Sequence, residues 1–197
     1  MRCFFVATLF VCALAMPATV RAQNAQVQGF GGLTFGDVTS SATFGGGIAV
    51  PLGGNMQVIA EGGHMSDVMP SLAAALIDLT PVDFGVSATY GEAGIRFLAP
   101  SNRAVRPYGE ATAGFAHLRG TFHGTRADSI VNTALGLLDS NEPMLGVGGG
   151  VIVQGGPVFV DLGYRYRKIY ASDSLQAFLT GGDFSVNQVR FGVGVRF

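Results

Sequence analysis

From Gln188 to Phe197 the chain reads QVRFGVGVRF, with Val189, Phe191, Val193, Val195 and Phe197 on one parity and Gln188, Arg190, Gly192, Gly194 and Arg196 on the other. Strict period two over this length specifies a β-strand with two chemically different faces. Such a strand is built to be paired, and its neighbours must repeat the pattern. The alternation does recur, separated by turn chemistry, and predicts eight strands. They lie at about Ala25 to Phe35, Ala42 to Pro51, Met56 to Gly63, Val86 to Ala99, Arg106 to Leu118, Met144 to Val153, Val158 to Tyr170 and Phe184 to Phe197.

The connections carry a second, independent pattern. After the second, fourth and sixth strands they are tight and polar: LGGN at 52–55, PSNRAV at 100–105 and QGGP at 154–157. After the third, fifth and seventh they are long, and only GDVTSS after the first is a short exception. An even number of antiparallel strands, turning tightly at one end and loosely at the other, is the layout of a barrel that crosses an outer membrane.

Alternation alone would also suit a soluble barrel with its apolar face inward around a ligand. Charge decides between the two. Only 13% of residues are charged and the chain has a single lysine, Lys168, against roughly 25% charged in an ordinary soluble domain. An outer wall in water would need Lys and Glu on every strand, so the apolar parity is expected to face hydrocarbon. The opposite parity gathers Glu61, Glu92, Arg96, Glu110, Asp161, Arg165, Arg167, Arg190 and Arg196, together with many of the 30 glycines. Eight strands enclose an interior only just wide enough for side chains. Glycine makes room there for long charged groups, which must pair because an isolated buried ion is costly. The expected arrangement is a salt-bridged plug, with an ion-conducting path as its alternative.

The first 22 residues read as a cleaved export signal, with Arg2 before the apolar stretch CFFVATLFVCALAM and Ala22 before the cleavage point. Residues 23–197 then form the barrel domain. Both cysteines, Cys3 and Cys12, lie in the signal, so the mature chain offers neither disulfides nor thiolate ligands, and no metal or cofactor is expected. Without Arg2 and Arg21 the mature chain keeps 10 basic residues against 13 acidic ones, no basis for binding nucleic acid.

With these features the mature chain resembles the small eight-stranded outer-membrane barrels, the OmpA transmembrane-domain and opacity-like proteins. Arg190, Gly192, Val195 and Phe197 match that family's C-terminal assembly signal, polar-x-Gly-x-x-hydrophobic-x-aromatic, and RPYGEATAG at Arg106 to Gly114 resembles its PYxGxGxG strand, with Glu110 in place of a usual small residue. The resemblance implies an all-β, antiparallel up-and-down transmembrane barrel in the outer membrane of a Gram-negative-type bacterium. It also implies contact with outer-membrane lipids and with the barrel assembly machinery through the last strand. The expected state is a monomer.

It implies little about activity. A structural or surface-interaction role is the leading expectation. The alternative comes from the long loops, each of which holds a short helix-like apolar stretch at 70–79, 128–138 and 172–179. Leu72, Ala75, Leu76, Leu79, Ile130, Ala134, Leu137, Leu138, Leu175 and Leu179 would form either a lid over the outer mouth or an apolar patch for a hydrophobic ligand or surface partner. His64 and Ser66, with Glu61 nearby, superficially match the His-x-Ser and acid arrangement of outer-membrane lipid deacylases. The parity of His64 places it on the lipid side and the rest of that motif is missing, so no catalytic residue is expected and a lipid-modifying enzyme is a remote alternative. The clusters GFGG from Gly29, FGGGIAV from Phe44 and GVGGGV from Gly146 lack the spacing and the strand-to-helix setting of a phosphate loop.

Overall fold

A computed structural model describes residues 25–38, 40–68, 83–100, 104–123, 140–170 and 183–197. They form β1 (Gln26–Gly36), β2 (Ser41–Gly53), β3 (Met56–Met65), β4 (Asp83–Leu98), β5 (Val105–His123), β6 (Ser140–Gly155), β7 (Val158–Ile169) and β8 (Phe184–Arg196). Each strand pairs antiparallel with the next, and β1 closes the ring against β8 from Gln26↔Arg196 to Gly36↔Val186. Closure satisfies the backbone of every strand on both sides, which a sheet edge in hydrocarbon could not do. The long final strand that ends the sequence is therefore paired on both edges, by β7 and β1.

The tight turns sit together at one end. Gly53 and Gly54 turn β2 into β3 with φ of +126° and +57°, and Gly156 turns β6 into β7 with φ of +67°, conformations that cost glycine nothing. Hydrogen bonds from Leu98 N–H to Asn55 O (2.8 Å), Gln154 N–H to Ala104 O (2.7 Å) and Arg196 N–H to Pro157 O (2.7 Å) lace these turns to one another. At the other end three strands run further than their apolar pattern suggests. β4 begins at Asp83 rather than Val86, β5 continues to His123 rather than Leu118, and β6 begins at Ser140 rather than Met144. Backbone pairing does not need an apolar side chain, so the β4–β5 ladder continues to Asp83↔His123 beyond the greasy band. The signal segment and the three helix-like loop stretches, with all the loop-patch residues named above, lie outside the described residues.

Side chains alternate across the wall as the parity requires. Ile48, Ile95, Phe115, Val147, Leu162 and Phe191 point outward and are exposed, while Ala88, Tyr90 and Glu92 on β4, Glu110, Thr112 and Ala116 on β5 and Phe159, Asp161 and Arg165 on β7 point into the barrel and are buried. The interior is stratified along its axis. An apolar layer of Leu98, Tyr108, Ile152 and Phe159 fills the turn end. A larger one, including Met65, Val86, Leu118, Met144, Ile169 and Val186, fills the loop end. Val38 and Val68, from the segments that follow β1 and β3, are buried in that second layer, and Val68 is held there by its N–H bond to Val86 O (2.7 Å).

Candidate functional site

Between the two apolar layers lie eight charged side chains, none more than 7% exposed: Glu61, Glu92, Arg96, Glu110, Asp161, Arg165, Arg167 and Arg190. Strand register explains how so much charge fits. The inward residues Arg96, Glu110, Gly148, Arg165 and Gln188 pair in sequence from β4 to β8, and Gly47, Glu61, Glu92 and Gly114 do so from β2 to β5. Long side chains and glycines thus share each level. A Cβ on Gly163 would lie 2.6 Å from the Tyr108 hydroxyl and 3.3 Å from Arg190 Nε, and one on Gly47 would lie 2.6 Å from Glu61 Cγ. Any larger residue at either place would displace a member of the cluster.

Arg165 is the hub. Its Nη1 donates to Glu61 Oε2 at 2.7 Å and to Glu92 Oε1, and its Nε donates to Glu110 Oε1 at 2.9 Å, with Nη2 on the same carboxylate. Glu61 and Glu92 face each other directly across β3 and β4, a like-charge pair that would repel; the shared guanidinium removes that repulsion. Arg96 donates from Nε (2.9 Å) and Nη2 (2.8 Å) to Glu110 Oε2. Arg190 bonds Glu61 Oε2 at 2.6 Å and Asp161 Oδ2 at 3.1 Å. Arg167 bonds Glu92 Oε1 at 2.7 Å and Gln188 Oε1 at 2.5 Å.

Neutral groups complete the shell. The Tyr108 hydroxyl donates to Asp161 Oδ1 (2.8 Å) and Thr112 Oγ1 to Glu92 Oε2 (2.8 Å). The Arg96 and Arg167 guanidiniums lie 4.2 and 4.5 Å from the ring centres of Tyr108 and Tyr90, where the ring face attracts a cation. Four carboxylates thus meet four guanidiniums, and the set is neutral as a whole. Stripping one ion of water costs several kcal/mol in a real protein, and only pairing with further hydrogen bonds offsets that. The bridges from Arg165 on β7 to Glu61 on β3 cross the full ring, since these strands are four apart in the order.

Arg196 stands apart from the other residues of its parity. It is half-exposed at the turn end, and its Nη1 reaches Gln154 Oε1 at 3.4 Å. Parity gives the face but not the level: six residues beyond Arg190, at about 3.3 Å each, it sits roughly 20 Å further along the strand. In the C-terminal motif Arg190 and Gly192 point inward, while Val195 and Phe197 point out. Tyr90, Tyr108, Thr112 and Gln188 escaped the sequence reading, although each shares the parity of the charges it serves. The apolar layers also escaped it, because an inward Val86 or Met144 counts as ordinary core unless its level is known.

The His64 arrangement is not assembled. His64 is on the outer wall with Nδ1 3.2 Å from Thr89 Oγ1 and its ring 5.5 Å from that of Phe44, whereas Glu61 points into the interior. The three glycine clusters fall within β1, β2 and β6.

The closed ring of eight antiparallel strands matches the fold of a set of solved structures. Neisserial surface protein A has a TM-score of 0.55 at 17% identity, over 89% of this chain and 97% of that one. The attachment invasion locus protein Ail of Yersinia pestis has 0.51 at 16%, over 88% and 97%. The outer membrane protein OprG of Pseudomonas aeruginosa has 0.52 at 13%, over 89% and 96%. The fold is that of a small outer-membrane β-barrel. No protein-family model matches the sequence, and no curated protein is significantly similar to it. The barrel's exposed apolar wall requires a lipid solvent, and together with the fold it places the chain in an outer membrane.

Proposed function

We propose that this barrel acts through its wall and its outward loops and not as a pore: a structural or surface-interaction protein of the outer membrane whose lumen is plugged by salt bridges. The observation that carries this reading is the neutral set of four acids and four arginines bridging β3 to β7 between two apolar layers. An ion crossing the barrel would have to displace paired charges and then pass through side chains such as Ile152 and Ile169, which are buried without measurable exposure. Outer-membrane lipids solvate the wall, and the assembly machinery engages the last strand through Arg190, Gly192, Val195 and Phe197. Ail is by name an attachment protein on the same architecture. At 16% identity the likeness is one of fold, so it supports the outward-acting reading by analogy alone. The test is single-channel recording in planar bilayers: the expected result is negligible conductance, and steady resolved openings would remove the plug.

A second reading, binding or passage of small hydrophobic molecules, rests on a groove of about 430 Å³ in the outer wall, lined by Phe115, Pro143, Leu145 and Tyr170. Uptake of a labelled fatty acid by vesicles that is the same with and without the protein would dispose of it. Catalysis forms no part of either reading, because His64 and Glu61 occupy opposite faces of β3.

A further inference from the structure

The interior holds a second polar region, cut off from the central charges by the layer of Leu98, Tyr108, Ile152 and Phe159. At the turn end Gln26, Gln57, Gln154, Arg106 and Arg196 line a cavity of about 200 Å³. Its chemistry is unlike that of the central set. There every guanidinium meets a carboxylate; here, among the described residues, no Asp or Glu lines the cavity and neither Arg106 nor Arg196 forms an ion pair. Arg106 Nε is buried and makes no hydrogen bond. Among the described residues the Arg196 side chain bonds only Gln154, at 3.4 Å. Gln26 and Gln57 are each 3% exposed, and each keeps one amide oxygen without a partner.

Such a set is costly as it stands. Unmatched buried polar atoms are destabilising, and two guanidiniums at one mouth repel. A bound oxyanion corrects both faults. It accepts from the two guanidiniums in short, charge-assisted bonds, and either amide can turn its NH2 towards the ligand, because a half-rotation exchanges the nitrogen with the oxygen. Arg106 enters from β5 and Arg196 from β8, three strands apart on the ring. A group with oxygens in several directions suits that placement better than a planar carboxylate. A cavity of about 200 Å³ has room for a phosphate.

We propose that the turn-end cavity is a periplasm-facing phosphate site, in which Arg106 and Arg196 hold the anion and Gln26 and Gln57 complete its hydrogen bonds. The phosphate is either free in solution or the headgroup of an inner-leaflet lipid. The site is independent of whether the lumen conducts.

The experiment is an NMR titration of the mature protein refolded in phosphate-free maltoside micelles, with inorganic phosphate as the probe and the Arg106 Nε–H and Gln57 side-chain amide signals as the readout. A saturable shift of both is expected. The Arg106→Gln, Arg196→Gln double variant should weaken it about tenfold or more, as loss of charge-assisted bonds implies, while heat-modifiable gel migration shows that the variant still folds. The same signals in phosphatidylglycerol nanodiscs separate the sources. Signals already at the saturated position before phosphate is added identify the headgroup as the ligand; signals that still respond identify the free anion. Absence of a saturable shift in the unaltered protein up to roughly tens of millimolar, a range that already covers very weak binding, would overturn the proposal without recourse to any variant. So would an affinity that the folded double variant retains.

Discussion

On β4, Ile95 and Arg96 are adjacent in sequence and live in different solvents: the first is 39% exposed on the outer wall and the second 1% exposed in the interior. The contrast holds around the whole ring, and it separates two ways of stabilising a strand. The wall is unspecific. Any apolar residue of similar size serves at Val147 or Leu162, because hydrocarbon makes no directional demand. The interior is specific, since each charged atom there must meet a named partner at hydrogen-bond distance. A barrel of this size is thus permissive outside and exacting inside.

The sharpest way to break the contrast is to remove the hub. Arg165→Ala leaves Glu61, Glu92 and Glu110 each short of a guanidinium, and loss of one member of a buried ion pair costs about 3–5 kcal/mol. Urea unfolding in detergent micelles should show that loss, and a midpoint unchanged from the parent would mean that the interior charges are solvated by water after all. On the wall the corresponding insult is a charge, not a truncation. Val147→Arg, midway along β6, should cost about 2–4 kcal/mol in a bilayer, whereas Val147→Leu should be close to neutral. Equal tolerance of Arg and Leu would show that Val147 does not face lipid.

The smallest effect is expected where neither solvent rule applies, at the loop end beyond the band. Asp37 Oδ2 accepts from the Ser185 hydroxyl at 2.6 Å and its N–H at 3.0 Å, and these bonds hold its carboxyl below the usual aspartate range. The folded state therefore binds its proton less readily than the unfolded chain does. The stability from this contact is complete above the ordinary aspartate pKa and is lost as pH falls through the lowered one. Because the pair is exposed, the loss should be well under about 1 kcal/mol. It should appear as an acid-range shift of the Ser185 amide that Asp37→Asn abolishes.

Much of this architecture was legible in the residue order, and the reason is geometric. A period of two reports the face of every strand residue, so all eight strands and the division between wall and interior followed from Val189 alternating with Arg190 and from the scarcity of lysine. Position along the barrel axis is a different quantity, fixed by register and strand tilt between chain segments far apart in sequence. For that reason parity alone groups Arg196 with charges it never approaches and does not reveal the stratification of Met65 and Val86 above Glu61 and Glu92. Cross-ring partners were illegible on the same ground: nothing local to Arg165 says that its carboxylates come from β3, β4 and β5. The extra rungs of β5 to His123 carry no strand signal in the residue order, because Arg119, Gly120 and Thr121 have loop-like chemistry while their backbone continues the ladder.

The central claim, that one face of each strand is solvated by hydrocarbon and the other by bound charge and packed side chains, is tested most directly by lipid-borne paramagnetic broadening of methyl signals in a bilayer nanodisc. Val58 and Ile59 on β3, and Val193 and Val186 on β8, form outward and inward pairs. With a nitroxide placed on the acyl chains, Val58 and Val193 should broaden strongly while Ile59 and Val186 stay sharp. Equal broadening within each pair, or the reverse pattern, would contradict the account.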